Sequence, residues 1–196
     1  MSILTTYFFL ILTVGTAILL LLPYAFGAIW YPTSTVVLQR MIDLSRAAEN
    51  DVAVDLGCGD GRILTEFARR TGGRGIGVEI NPILVIISRI MLRTYRQQDR
   101  VRICWGDMYR FDICSADVVF VYLSHKAMDR LRPRIVEELK PGACVISHGF
   151  LFTEWTPETV DMKNQIFVYR KESESHVIHA DNNVSGGCAE KKGNTL

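Results

Sequence analysis

The segment VDLGCGDGR at residues 54–62 constrains the fold more than any other part of the chain. A short apolar run leads into it, and glycines alternate through it at Gly57, Gly59 and Gly61. An apolar run, a glycine cluster and then a helical pattern are typical of a strand that turns tightly into a helix. Gly57 permits the turn, Gly59 lets the backbone approach a ligand, and Gly61 begins the helix close to the strand.

Strand and helix patterns alternate on both sides of this turn. Strands are predicted at 51–56, 75–80, 101–105, 117–123, 143–147 and 165–170, with helices at 62–70, from 82 onward and at 126–139. Asn81 and Pro82 supply an N-cap and a proline at the first helical position. The alternation predicts an α/β fold, a Rossmann-like doubly wound and mostly parallel sheet. Ligands of such sheets bind at the carboxyl ends of the strands.

The spacing of the glycines indicates which cofactor binds there. A dinucleotide fingerprint requires a third glycine at position 62, where this chain has Arg62. Asp55 and Asp60 flank the turn with negative charge, which repels a pyrophosphate and favours a ligand that carries an ammonium group. S-adenosylmethionine has that ammonium, a sulfonium and no phosphate. Asp60 is explained equally well as a ligand-binding residue or as the cap of the following helix.

One acidic residue follows each of three successive predicted strands. Asp55 ends the first, and Glu79 ends the second, placed to accept hydrogen bonds from two ribose hydroxyls. Asp107 follows the third strand and is placed to accept from an adenine amino group. This combination is much more specific than the glycine turn alone, and it predicts an S-adenosylmethionine site.

The first 39 residues contain no Asp, Glu, Lys or Arg. Residues 3–31 are apolar, small or aromatic, and a membrane-spanning helix needs about 20 such residues. We expect a transmembrane anchor at 1–31 that contacts the lipid bilayer through 3–31; a cleaved signal peptide and a buried core helix are the alternatives. The first positive charges, Arg40 and Arg46, lie downstream and place the catalytic domain of this single-pass protein on the cytoplasmic side.

The remaining residues divide into three segments. We expect a linking helix at 32–50, a cofactor-binding domain at 51–170, and a disordered tail at 171–196, where large apolar residues are few. The net charge of +1 gives no sign of nucleic-acid binding. No cluster of His, Cys and Asp has the spacing of metal ligands, so no metal is expected.

Several motifs together resemble a known family. They are VDLGCGDGRIL (54–64), GIGVEINPILV (75–85), DVVFVYL (117–123), KPGACVIS (140–147) and EWTP (154–157). They are similar to class I S-adenosylmethionine-dependent methyltransferases, in particular to small membrane-associated protein-lysine N-methyltransferases. That group includes the enzymes that methylate the adenine nucleotide translocase and the ATP synthase c subunit, with prokaryotic relatives. The resemblance covers residues 24–170.

The resemblance implies S-adenosyl-L-methionine as cofactor and a lysine amine as acceptor. The partner is then a protein with an accessible lysine, membrane proteins included, and the location in a eukaryote is the mitochondrial inner membrane. A methyltransferase acting on a lipid, quinone or other small molecule, and a non-catalytic cofactor-binding module, are the alternatives. The residues assigned to cofactor binding are Asp55, Gly57, Gly59, Asp60, Gly61, Glu79, Asn81, Asp107 and Met108.

The acceptor site is expected after the fourth strand and near the EWTP motif. Leu123, Ser124 and Trp155 are assigned to the substrate, although the family tends to have a leucine-proline step where this chain has Leu123-Ser124. Tyr122 and His148 are interpreted as packing residues. No catalytic residue is assigned.

Overall fold

The structure of the protein, a computed structural model, describes residues 3–25 and 33–172. The first element is the helix α1, Ile3–Ala25. The predicted tail at 171–196 lies outside the described residues, apart from its first two positions.

Seven strands form one sheet, and they pair in the order β3-β2-β1-β4-β5-β7-β6. The first five strands along this order are parallel, and β7 runs antiparallel to both β5 and β6. The mostly parallel sheet is therefore confirmed, while the short β6 is an addition to the prediction. The strands are β1 (Val52–Leu56), β2 (Arg74–Glu79), β3 (Val101–Trp105), β4 (Val118–Val121), β5 (Cys144–His148), β6 (Thr159–Asp161) and β7 (Ile166–Arg170).

Helices cover both faces of the sheet, as the doubly wound prediction requires. One face carries α2 (Thr35–Ser45), α3 (Arg62–Thr71) and α4 (Pro82–Thr94), and the other carries α5 (His125–Glu138). The first face is filled by aromatic and aliphatic side chains such as Phe67 of α3, whose ring meets Phe120 edge-on at 5.9 Å. These two apolar layers fix the sheet, and hence the ends of its strands, in place.

Local signals in the sequence place the starts of two helices. Asn81 accepts a hydrogen bond from the backbone N–H of Ile83 at 3.0 Å, and Pro82 occupies the first turn of α4. Ser34 caps α2 in the same way through the N–H of Val37. The predicted start at Asn81-Pro82 is confirmed, and in both helices a side-chain oxygen satisfies a backbone donor that has no partner within the helix.

The helix α1 presents large apolar side chains to solvent along its length, from Ile3 to Val14. Among the residues that the structure describes, no helix is long and apolar enough to cross a membrane. The transmembrane anchor predicted at 1–31 is therefore not found within them.

Candidate cofactor-binding site

A cleft opens where the carboxyl ends of β1, β2 and β3 meet. The cleft is shallow and partly open to solvent. Four of the residues predicted to bind the cofactor line it, namely Gly57, Glu79, Asp107 and Met108. The cleft therefore lies where parallel sheets bind their ligands. Its remaining walls come from Val78, Ile80, Gly106 and Tyr109.

The glycine turn has a backbone that glycine adopts far more readily than other residues. Gly57, Gly59 and Gly61 all have positive φ angles, of 85°, 56° and 76°. A Cβ on Gly57 would come within 3.2 Å of Leu123 Cδ2, and one on Gly61 within 3.2 Å of Ser88 Cβ. The missing side chains thus allow the turn to lie against the end of β4 and allow α3 to approach α4.

Glu79 joins the glycine turn to the start of α4. Its Oε2 accepts from the N–H of Gly59 at 3.0 Å, and its Oε1 accepts from the N–H of Asn81 at 2.8 Å. A carboxylate offers roughly four acceptor positions, so these contacts leave Glu79, which lines the cleft, with acceptor capacity for a ligand. The sequence predicted the ligand-facing role, whereas the two backbone contacts were not anticipated.

Negative charge in this region has little compensation. Burial, followed by the charges of Glu79 and Asp60, raises the pKa of Asp55 to about 8. Burial also raises the pKa of Glu79, although its backbone hydrogen bonds oppose the shift. Neither carboxyl has an ion pair with any residue in 3–25 or 33–172. A ligand that brings an ammonium group fits this arrangement, as S-adenosylmethionine does.

Asp60 is paired with a residue of the protein itself. The guanidinium of Arg62 donates to both carboxylate oxygens, with Nη2 2.6 Å from Oδ2, and the Arg62 backbone N–H donates to Oδ1. Arg62 also donates through Nη1 to the carbonyl of Thr33 at 3.1 Å. Asp60 therefore holds the start of α3 and, through Arg62, the segment before α2. Its contact with the cofactor stays a prediction.

Two further predicted residues lie on the far wall of the cleft. Asp107 Oδ1 accepts from the N–H of Tyr109 at 2.9 Å, and its Oδ2 lies 3.9 Å from Arg110 Nε. Met108 is buried, and its sulfur would lie 4.0 Å from a Cβ on Gly57. An acceptor and an apolar side chain thus face the turn from the end of β3.

The predicted acceptor residues fall into two environments. Leu123 is buried beside the glycine turn, and Ser124 occupies the N-cap position of α5. Trp155 instead packs on Tyr169 at 4.9 Å and on Phe152 at 5.5 Å between ring centroids. The structure brings Leu123 and Ser124 to the cleft edge of the sheet, while the ring contacts of Trp155 are those of a packing residue.

Two ring pairs that the sequence analysis did not select stand at the carboxyl ends of β4 and β5. The rings of Tyr122 and His148 lie 4.2 Å apart, and those of His125 and Phe150 lie 4.6 Å apart. His148 Nδ1 is buried without a hydrogen-bond partner among the described residues, and burial lowers the pKa of this histidine. Their positions at or within a few residues of the carboxyl ends of two adjacent strands were the available signal, because such ends meet at one edge of the sheet.

Comparison with known proteins identifies the family. The family model described as the ANTKMT methyltransferase domain matches residues 55–159. The chain belongs to this methyltransferase family. The match begins at Asp55 and includes the glycine turn, Glu79, Asp107 and the ends of β4 and β5, so the cleft lies wholly within the matched region.

A curated archaeal relative covers most of the methyltransferase. The chain is 31% identical over 147 residues to a protein-lysine N-methyltransferase of Saccharolobus islandicus, a match that covers 71% of this chain and 91% of the relative. It is 29% identical over 143 residues to the Xenopus laevis lysine N-methyltransferase named for the ATP synthase c subunit, covering 72% and 59%. The chain thus spans little more than half the length of that vertebrate relative.

A solved structure supports both fold and cofactor. An RNA methyltransferase from Salinibacter ruber, in complex with S-adenosyl-L-homocysteine, is 38% identical, with a TM-score of 0.71. The match covers 74% of this chain and 95% of that one. The protein is an S-adenosylmethionine-dependent methyltransferase, and the cofactor predicted from the acids and glycines is confirmed.

Proposed function

We propose that this methyltransferase acts on a lysine ε-amine of a protein, with membrane proteins among its substrates. The observation that carries the proposal is the likeness to the archaeal protein-lysine N-methyltransferase, since the chain spans 91% of that relative. The Xenopus relative, named for the ATP synthase c subunit, supports a membrane protein as substrate.

Residues in and near the cleft would hold each part of the cofactor. Glu79 would accept hydrogen bonds from the ribose hydroxyls, Asp107 would accept from the adenine amino group, and the buried Asp55 would balance the ammonium. Met108 and Ile80 offer apolar contact to the base. When bound, S-adenosylmethionine would supply an electrophilic methyl group on its sulfonium, with S-adenosylhomocysteine as the leaving group once the S–C bond breaks.

The acceptor lysine must lose its proton before it can attack. A lysine has an ordinary pKa of about 10.4, so it is mostly charged at neutral pH, and an apolar surrounding lowers that pKa. The partly buried rings of Tyr122, His148 and Phe150 at the ends of β4 and β5 would reduce the contact of an amine with water there. Burial lowers the pKa of His148, which makes it a weaker base than a free histidine, and its Nδ1 has no hydrogen-bond partner among the described residues.

Partition of a methyl label tests the proposal. The purified enzyme would be incubated with methyl-labelled S-adenosylmethionine and, in separate reactions, membrane proteins, extracted lipids or RNA. We expect label in protein, released on acid hydrolysis as ε-N-methyllysine, and none with a Glu79→Ala variant. Label confined to the lipid fraction would refute the proposal, and cofactor binding without label in any fraction would identify a non-catalytic module.

RNA is the second candidate acceptor, because the Salinibacter protein of 38% identity is described as an RNA methyltransferase. The same experiment separates the two candidates, since label in RNA that resists protease and yields methylated nucleosides would favour RNA.

We further propose that α1 contacts a lipid bilayer. Its support is the exposure of large apolar side chains such as Leu4, Phe8 and Ile11, in a segment without charge. A helix that is apolar on all sides is not stable in water alone. Flotation with phosphatidylcholine vesicles would test the contact: we expect Ile11→Lys to weaken flotation and the control Val36→Lys, on α2, to leave it unchanged. Equal flotation of both variants would show that α1 does not contact the bilayer.

A further inference from the structure

The outward face of α4 carries an exposed apolar stripe. Ile83, Ile86, Ile87 and Ile90 are 40–58% exposed, and their spacing places them on one side of the helix. Trp105, at the end of β3, is 69% exposed, and its indole N–H donates to the carbonyl of Ile80 at 3.0 Å. Four isoleucines therefore lie exposed along one side of α4, and an exposed indole is hydrogen-bonded to the residue before the N-cap of this helix.

Arginines border this stripe. Arg89, Arg93 and Arg102 line a single cleft between α4 and β3, and Arg89 Nη2 donates to the carbonyl of Ile103 at 3.0 Å. Arg96 and Arg100 follow in the connecting loop. In the part of the chain that the structure describes, none of these five has an ion pair.

Acidic residues are almost missing from the same region. Residues 80–106 contain five arginines and one acid, Asp99. Eight other arginines of the described chain pair with a carboxylate, whereas Arg46, Arg74 and Arg130 do not, so what distinguishes the five at α4 is that they are clustered in a region with a single acid. The positive charge at α4 is therefore available to an external anion.

An apolar stripe bordered by arginines without ion pairs fits anionic lipid better than nucleic acid. Nucleic acid would use the arginines but not the isoleucines, because its surface is a row of phosphates. A helix with an apolar face and basic neighbours is typical of contact with anionic lipid. We propose that the α4 surface, formed by these isoleucines, Trp105 and the five arginines, docks on an anionic bilayer with lipid phosphates in the arginine cleft.

This docking would also orient the cofactor site. Ile80 lines the cofactor cleft and accepts the hydrogen bond of Trp105, so the membrane-facing edge and the cleft share a wall. Acceptors that protrude only a short distance from a bilayer would then reach the cleft. The proposal rests on neither lysine as acceptor nor the contact of α1 with lipid.

Trp105 is the reporter for the test. Trp30→Phe and Trp155→Phe would leave it as the single tryptophan of the full chain. The emission of Trp105 would be followed with vesicles of phosphatidylcholine alone or mixed with phosphatidylglycerol, each containing lipids brominated in the acyl chain. We expect a blue shift and strong quenching with the anionic vesicles and little change with the neutral ones.

Variants separate the two parts of the surface. Arg93→Gln and Arg102→Gln should each weaken docking roughly fivefold, and Ile86→Glu with Ile90→Glu should abolish it. Matched controls on the opposite edge of the sheet are Lys163→Gln and Met162→Glu, both at exposed positions, which should leave it unchanged. Calorimetric binding of the cofactor, expected to be unaltered in every variant, would show that each one is folded.

Two results would overturn the proposal. Unquenched Trp105 emission with anionic vesicles would show that α4 does not meet the bilayer, whether or not α1 holds the chain there. Equal quenching by neutral and anionic vesicles would show that the arginines do not contribute to docking by binding anionic lipid.

Discussion

The pH dependence of cofactor binding should arise mainly from Asp55. Its carboxyl is buried near two other carboxylates, which raises its pKa to about 8. The carboxyl must ionise to balance the cofactor ammonium, so we expect the affinity for S-adenosylhomocysteine to rise between pH 6 and pH 9. Asp55→Asn should weaken binding at pH 9 by about tenfold or more and flatten this dependence, as calorimetry would measure. The control Asp129→Asn, at an exposed position, should behave as wild type, and an unchanged pH profile in Asp55→Asn would contradict the assignment.

The same raised pKa has a consequence for stability. The folded state holds this proton more tightly than the unfolded state, whose pKa is near 3.8. Its contribution is therefore present below about pH 4 and is lost as the pH rises through about 8. Denaturant unfolding without cofactor should show that wild type loses more stability than Asp55→Asn between pH 5 and pH 8. Parallel losses in the two proteins would argue against a buried, protonated Asp55.

Substitutions at two glycines distinguish the cost of backbone strain from an effect on cofactor binding. Gly57→Ala and Gly142→Ala both place an alanine at a φ above 80°, which costs roughly 1–2 kcal/mol. A Cβ at Gly142 meets nothing within 4 Å, whereas one at Gly57 meets Leu123. We expect similar losses in thermal unfolding, but a clear loss of cofactor affinity only for Gly57→Ala. Equal cofactor affinity in both variants would show that the glycine turn does not take part in cofactor binding.

At the scale of the elements, Arg62 holds two segments together. Arg62→Gln would leave the buried Asp60 without its guanidinium and would release the carbonyl of Thr33. We expect a loss of about 2 kcal/mol in the free energy of unfolding, measured with denaturant. The matched control is Arg69→Gln, whose pair with Glu66 is more exposed and should therefore contribute less to stability. Equal losses would show that the Asp60 contact has no special weight.

Element positions were largely predictable because their signals are local. Each signal involves only a few neighbouring residues: the glycines at 57, 59 and 61, the Asn81-Pro82 helix start and the apolar runs of the strands. The structure confirms the elements that they predict. The contacts of Glu79 with Gly59 and Asn81, and those of Arg62 with Thr33, depend on how distant segments pack. No pattern in the sequence specifies them. The short β6 escaped prediction for the same reason, since it exists only by pairing with β7.

In the molecule as a whole, the strand order brings the candidate functional residues together at the carboxyl edge of the sheet. Parallel pairing of β3, β2, β1, β4 and β5 brings Glu79, Asp107 and the glycine turn beside the rings of Tyr122 and His148. The sequence predicted the cofactor half of this edge because its acids and glycines form a recognisable pattern. It did not predict the ring pairs, because aromatic residues after a strand resemble packing residues.

Glu79 is predicted to bind the cofactor, and calorimetry measures its contribution to the affinity. S-adenosylmethionine would be titrated into wild type, Glu79→Ala and the control Glu158→Ala, whose carboxylate pairs with Arg170 away from the cleft. We predict one site in wild type and in the control, and a loss of about 100-fold in affinity for Glu79→Ala, because two hydrogen bonds to a charged acceptor are removed. Unchanged affinity in a folded Glu79→Ala protein would contradict the account.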